Sequence, residues 1–186
     1  MAEAASIESE TRRPLIRPAG TADIEAITAV YAWNVRHGTG TFELEPPDAS
    51  EMARRLADVV AKGLPWLVLL DRDQVAGYAY ANHFRPRLAY RFCLEDSVYL
   101  APDMVGHGYG RLLLVELLAR CEAAGARQML AIIGDSANAA SIGVHRSLGF
   151  EAVGTMQAAG WKLGRWLDVV IMQKRLGLGD DAPARE

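Results

Sequence analysis

Cysteine is scarce in this sequence: Cys93 and Cys121 are the only two in 186 residues. Both fall within apolar segments and neither has a cysteine nearby at metal-ligand spacing. That points to core packing and away from a disulfide, a metal site or a thiol nucleophile. Positive charge is not in excess. The formal net charge of −3 removes any global electrostatic drive toward nucleic acid, leaving only local basic patches for anionic ligands. No apolar run reaches the roughly 18 residues of a membrane-spanning helix. The opening MAEAASIESETRRP lacks the apolar stretch of a secretory signal, so a cytoplasmic protein without a membrane partner is expected. Internal repeats and low-complexity linkers are also missing, so nothing divides the chain. With 51% hydrophobic and 23% charged residues it reads as one globular domain. The expected bounds are 14–176, between a flexible leader (1–13) and a flexible tail (177–186).

Along that span, Leu15-Ile16-Arg17 suits a short strand. Thr21 is a candidate N-cap ahead of a helix carrying Ile24, Ile27, Val30 and Tyr31. Asp48 followed by Glu51 starts a second helix whose stripe is Met52, Leu56, Val59 and Val60. Residues 66–70 and 74–81 read as a hairpin about Asp71-Arg72-Asp73, and 91–100 as a longer strand. A helix to about Ala123, a strand near 129–133, a short helix over 138–147 and two last strands about the 160–164 turn complete the order.

Two local patterns carry chemistry. In VGHGYGRLL, Gly106, Gly108 and Gly110 stand between a strand end and a helix start, where main-chain N–H groups can converge on an anion. Alone, such a loop is equally a simple turn, and it also suits a dinucleotide. Its place after a helical pair and a hairpin argues against the dinucleotide, whose fingerprint normally follows a first strand. The preceding RFCLEDSVYL alternates so that Asp96 shares a face with Phe92, Leu94, Val98 and Leu100. A bulge at Glu95-Asp96 would relieve that conflict; a sheet-edge carboxylate is the other explanation.

Taken in order, the strand, the glycine loop with its helix, and an Asn-x-x-Ser helix ending in Gly-Phe resemble the GNAT superfamily over roughly residues 15–174. The chain is most similar to the phosphinothricin and methionine-sulfone acetyltransferase group, through EDSVYL (95–100), NAASIGVHRSLGF (138–150) and VGTMQAAGWKLGRWLDVVIMQ (153–173). Gly160, Lys162, Gly164, Trp166, Asp168 and Gln173 match that group's characteristic positions. Val105 departs from the superfamily, which usually has Gln or Arg there.

The resemblance implies an α/β (α+β) fold with a mixed, mainly antiparallel twisted sheet, split at the cofactor site and flanked by helices. It implies acetyl-CoA as cosubstrate, no metal, and transfer to the free α-amino group of a small amino-acid analogue such as phosphinothricin, methionine sulfoximine or methionine sulfone. Glu95 aligns with the general base, its alternative being amine binding without proton transfer; His145 is the candidate general acid. Val98, Tyr99 and Leu100 would meet the pantetheine arm through their main chain, with an N–H near Leu100 facing the thioester oxygen. The pyrophosphate would lie on Gly106, His107, Gly108, Tyr109, Gly110 and Arg111. Asn138 and Ser141 resemble further pantetheine contacts, with a helix cap as the other reading of Asn138. Substrate-binding candidates are Phe42, Arg85, Pro86, Arg87, Asp96 and Ser97 beside Glu95, and for the two arginines plain surface solvation is the alternative. A homodimer is implied through the C-terminal region. Competing functions are acetylation of peptide N-termini or another amine, and a non-catalytic acyl-CoA sensor.

Overall fold

The computed structural model describes residues 13–184. Of the expected leader only Arg13 falls in that range; the rest lies outside the described residues. Strand β1 (Leu15–Pro18) is followed by a single 3-10 turn at Thr21–Asp23, helix α1 (Ile24–His37) and helix α2 (Ala49–Ala61). Strands β2 (Trp66–Asp71), β3 (Gln74–His83) and β4 (Cys93–Leu100) come next. Then follow α3 (Tyr109–Ala123), β5 (Gln128–Gly134), α4 (Ala139–Ser147), β6 (Glu151–Lys162) and β7 (Arg165–Arg175). The strands form one sheet in the order β1-β2-β3-β4-β5-β7-β6. Every neighbouring pair is antiparallel except β4 and β5.

The local chemistry explains most boundaries. Asp48 caps α2, its carboxylate accepting from the Glu51 N–H at 2.8 Å. Thr21, the expected cap of α1, instead opens the 3-10 turn behind Gly20. Arg17 grips both oxygens of Asp23 at 2.7 and 2.8 Å, and the same carboxylate accepts from the Gly20 N–H, so the helix begins one residue later. On α2, Met52, Leu56 and Val59 are buried while Val60 is exposed, because it lies about 40° beyond Leu56, the edge of the stripe, around the helix. Residues 177–184 make several hydrogen bonds. Gly179 donates to Leu176 O, Asp181 to Leu178 O, and Arg127 reaches Pro183 O at 3.0 Å.

One cluster of buried side chains runs from Ile24 to Leu176. Tyr31 packs edge-on against Tyr99, which tilts against Tyr78, so α1 covers one face of the sheet. Leu113, Leu114, Leu117 and Cys121 of α3 are fully buried. Burial pushes the Cys121 thiol up to about 12, with Asp96 adding to the effect, as befits a packing cysteine. Among the described residues no helix is long and apolar enough to cross a membrane.

Tyr31 and Tyr78 should respond oppositely to loss of their hydroxyls. The Tyr31 hydroxyl lies 2.9 Å from Thr41 Oγ1 and donates to Glu43 at 2.8 Å, whereas the buried Tyr78 hydroxyl has no partner among the described residues. Tyr31→Phe should lower unfolding free energy in urea by about 1 kcal/mol, and Tyr78→Phe should leave it unchanged or raise it.

Candidate active site

The site starts from a failure of pairing. Strands β4 and β5 run in parallel register only from Cys93↔Gln128 to Glu95↔Leu130, and then part. Ala101 N–H bonds Ala76 O at 2.9 Å and Phe84 N–H bonds Cys93 O at 3.1 Å, which sets the phase of the β3–β4 ladder. Odd-numbered residues of β4 therefore turn their main-chain groups toward β3, and the Asp96 carbonyl with the main-chain groups of Val98 and Leu100 turns into the opening, while the Asp96 N–H closes the last bridge to β5. The Leu100 carbonyl is met there by Asn34 Nδ2 at 3.1 Å. Val98 and Leu100 thus turn main-chain groups into the opening. Tyr99 does not, because its own are directed at Tyr78 across the ladder.

A cavity of about 340 Å³ occupies the opening, walled by Val98, Tyr99 and Ile133, by Gly38 to Gly40 of the α1–α2 connection, and by Asn138 and Ser141. Asn138 combines two roles: its Oδ1 accepts from Ser141 N–H at 3.2 Å, capping α4, while the residue also lines the cavity. At the near end of α3, Gly106 and Gly108 have φ of 88° and 80°, in the left-handed region, and a Cβ at either would meet nothing within 4 Å. Gly108 caps α3 without a side-chain bond, and the first helical bond is from Leu112 N–H to Gly108 O. The N–H groups of Tyr109, Gly110 and Arg111 thus lie at an open helix N-terminus suited to an anion. His107 stacks on Tyr109 at 5.6 Å, and Val105 is exposed in the same loop.

Glu95 sits where β4 and β5 part. Burial raises its carboxyl above the ordinary range and Asp96 adds to the rise, while Arg85 opposes it. Ser97 shares its face of the strand. Arg85, Pro86 and Arg87 line a second cavity of about 580 Å³ with Asn82, which pairs with Glu95 in the ladder. Both arginines are exposed, and the Arg85 guanidinium lies 4.7 Å from the centre of the Phe84 ring.

The expected bulge at Glu95-Asp96 is absent. Register runs unbroken through Asn82↔Glu95 and Ala81↔Asp96, and the irregularity in this half of the sheet falls at Leu69/Leu70. Alternation therefore holds, and Asp96 points to the opposite face from Glu95 and Ser97. Its burial is tolerated because His145 Nε2 lies 3.1 Å from Oδ1. The same contact encloses the candidate general acid. His145 is only 5% exposed, and its Nδ1 donates to Ser141 O at 2.8 Å, so both ring nitrogens are engaged inside the protein. Burial alone would lower the His145 pKa, but the hydrogen bond and charge of Asp96, with the Ser141 carbonyl, leave it raised above 6.5. Burial raises Asp96 too, against the pull of His145. The pair holds one proton between them.

The C-terminal signature proves to be scaffolding. A Cβ on Gly160 would overlap the Phe42 ring, and one on Gly134 would overlap the Thr39 carbonyl, so the α1–α2 connection lies directly on the sheet. Lys162, 3% exposed, donates to Thr41 O at 2.6 Å. Its ammonium is held below the ordinary lysine value by burial, with Glu43 acting the other way. Asp168 accepts from Ser136 Oγ at 2.6 Å and from Ala158 N–H at 3.0 Å, and Arg165 pairs with Asp135, so the hairpin also holds the β5–α4 turn beside the cavity. Gln173 Nε2 donates to Gln128 Oε1 at 2.8 Å. Lys162 and Asp168 were visible as matched positions without a role. Asn34 carried a signal in the sequence too, as an amide four residues after Val30 on the buried side of α1. Among the described residues, no three His, Cys, Asp or Glu side chains gather to hold a metal ion.

Residues 27–150 match the family model described as Acetyltransferase (GNAT) family. The chain is 54% identical over 158 residues to the phosphinothricin N-acetyltransferase of Alcaligenes faecalis, covering 85% of this chain and 80% of that protein. It is 41% identical over 169 residues to the L-methionine sulfoximine/L-methionine sulfone acetyltransferase of Pseudomonas aeruginosa, covering 90% and 98%. A crystal structure of a GNAT superfamily phosphinothricin acetyltransferase from Sinorhizobium meliloti in complex with AcCoA superposes with a TM-score of 0.91 at 48% identity, covering 93% of this chain and 94% of that one.

His145 should titrate above 6.5 by NMR of its imidazole, and Asp96→Asn should bring that value down. Because the folded value is raised, His145's own contribution to stability is complete below the unfolded pKa of about 6.5 and is lost as pH rises through the folded one. A His145 that titrates at or below 6.5 in the wild type would contradict the pairing.

Proposed function

The chain belongs to the GNAT acetyltransferase family, and from that premise we propose that it transfers the acetyl group of acetyl-CoA to the α-amino group of small amino-acid analogues of the phosphinothricin and methionine sulfoximine/sulfone type. One observation carries the assignment: a half-buried carboxylate with a raised pKa, Glu95, stands where the sheet opens, with Arg85 acting on it from the adjacent cavity.

In this mechanism the open end of α3 and the Gly106–Arg111 loop hold the pyrophosphate, and the cavity between the parted strands takes the pantetheine arm. The Val98 main chain bonds its amides, and the Leu100 N–H faces the thioester oxygen, where it stabilises the charge that develops on attack. Arg85 and Arg87 bind the acidic groups of the acceptor. Glu95 takes a proton from the ammonium, and its raised pKa brings it nearer to that task. The amine nitrogen then bonds the acetyl carbon, its remaining extra proton passes to solvent, the C–S bond breaks, and CoA leaves as thiolate with no acetyl-enzyme. With His145 enclosed, the thiolate departs without that residue's proton; a thiol is acidic enough for this. Pro86 and Ser97 complete the acceptor wall, and Phe42, inside the α1–α2 connection, closes the acceptor end of the site.

We assign the protein to the cytoplasm and read it as a homodimer. The dimer reading is supported by β6, a 12-residue edge strand, and by exposed Val153, Met156, Trp161 and Trp166 on its hairpin, an apolar edge that a second copy would cover. Trp166→Glu should shift the protein toward monomer in sedimentation velocity; an unchanged distribution would remove this edge as the interface.

For the reaction, acetyl-CoA and a panel of amines should release free thiol with methionine sulfone and phosphinothricin but not with peptides. Glu95→Gln should cut kcat by about 10² or more while the Kd for acetyl-CoA stays within twofold. In the wild type the rate should rise as pH passes upward through the raised Glu95 value. Thiol release with peptides alone would favour a protein N-terminus as acceptor, and CoA binding without thiol release would favour a sensor.

A further inference from the structure

The α1–α2 connection, residues 38–48, has no regular structure, yet its first residues wall the cavity and its Phe42 ring rests against Gly160. On the α1–α2 side it is held by the Tyr31 hydroxyl, placed between Thr41 and Glu43, and by Arg55 bound to Glu43 at 2.7 Å. On the other side, Lys162 Nζ reaches the Thr41 carbonyl, 121 residues away in sequence, and the Asp135 carboxylate engages Thr39. A lysine 3% exposed with a neutral carbonyl as its hydrogen-bond acceptor is a costly way to fill space, and an apolar side chain of similar length would fill it more cheaply. What the ammonium adds is direction. It fixes the carbonyl that immediately precedes Phe42, while Gly160 and Gly134 leave room for the ring and the Thr39 carbonyl to lie directly on the strands.

We infer that Lys162 is a positioning residue for the acceptor amine: through the Thr41 carbonyl it holds Phe42 against Gly160, and so sets the size of the acceptor end of the site. Lys162 touches neither reactant. The inference rests on the acceptor role proposed above for Phe42. It predicts that loosening this tether affects the amine more than the acetyl-CoA, whose hydrogen-bonding anchors lie on α3, β4 and α4 and whose cavity meets the connection only at its first residues, Gly38 to Gly40.

The test joins kinetics to a positional readout that needs no activity. The chain has four phenylalanines, Phe42, Phe84, Phe92 and Phe150, so labelling with 4-fluorophenylalanine gives four fluorine signals. In Lys162→Met the Phe42 signal should shift or broaden while that of Phe92 stays in place. The KM for methionine sulfone should rise about tenfold, with the Kd for acetyl-CoA within twofold. Lys162→Arg, which can still donate to the carbonyl, should recover part of the loss. In a Phe42→Ala background, Lys162→Met should add little, because the two residues act in series.

Gly160→Ala displaces the same ring from the opposite side with the lysine left in place, and it should raise the same KM. That second variant keeps the test decisive if Lys162→Met folds poorly. An unmoved Phe42 signal in Lys162→Met overturns the tether. A moved signal with the amine KM unchanged, in an active wild type, overturns the acceptor role. A wild type that acetylates none of the amines refutes the proposed function itself, and the acceptor half of this inference with it, while the fluorine signals still decide whether Lys162 holds Phe42.

Discussion

The constraint on which this structure depends is that β4 and β5 are bonded at one end only. Each is fully laddered on its outer side, β4 to β3 and β5 to β7, so the sheet is secure without their union. The price is a short row of main-chain groups, the Asp96 carbonyl and those of Val98 and Leu100, that must find partners elsewhere. Asn34 supplies one from α1. The others are what a linear amide-bearing arm can bond in the manner of an added strand.

Parted strands need bracing, and the braces are polar contacts between distant segments. On one face, Asp96 of β4 meets His145 of α4, which ties the strand on one side of the opening to the helix on the other. Near the hairpin, Asp168 and Arg165 hold the β5–α4 turn, and Lys162 holds the α1–α2 connection. Buried polar contacts of this kind contribute little net stability compared with apolar packing, but they tolerate few alternative geometries. That suits a site in which the acyl carbon and the attacking nitrogen must be brought within bonding reach.

The residues matched to the group differ in what they touch. Glu95 stands where the sheet parts, with Arg85 on the neighbouring cavity, and the α3 loop turns its main chain outward at an open helix end. Gly160, Lys162 and Asp168 instead hold the α1–α2 connection and the β5–α4 turn. His145, the candidate acid, has both ring nitrogens enclosed between β4 and α4.

Sequence alone determined the order of elements, the Asp48 cap and the glycine loop ahead of α3, because caps, turns and periodicity are properties of neighbouring residues; Glu95 stood out only through the resemblance to the family. It also marked Gly160, Lys162 and Asp168, without saying what they do. The alternation of β4 placed Asp96 on the inner face, and a bulge looked necessary only because its partner lay 49 residues away. Which residues share a face can be read from spacing along one strand. Which charge answers which across the fold depends on how helices and strands pack, and only the tertiary structure decided that Asp96 meets His145, that Lys162 meets Thr41, and that Tyr99 turns its main chain away from the opening.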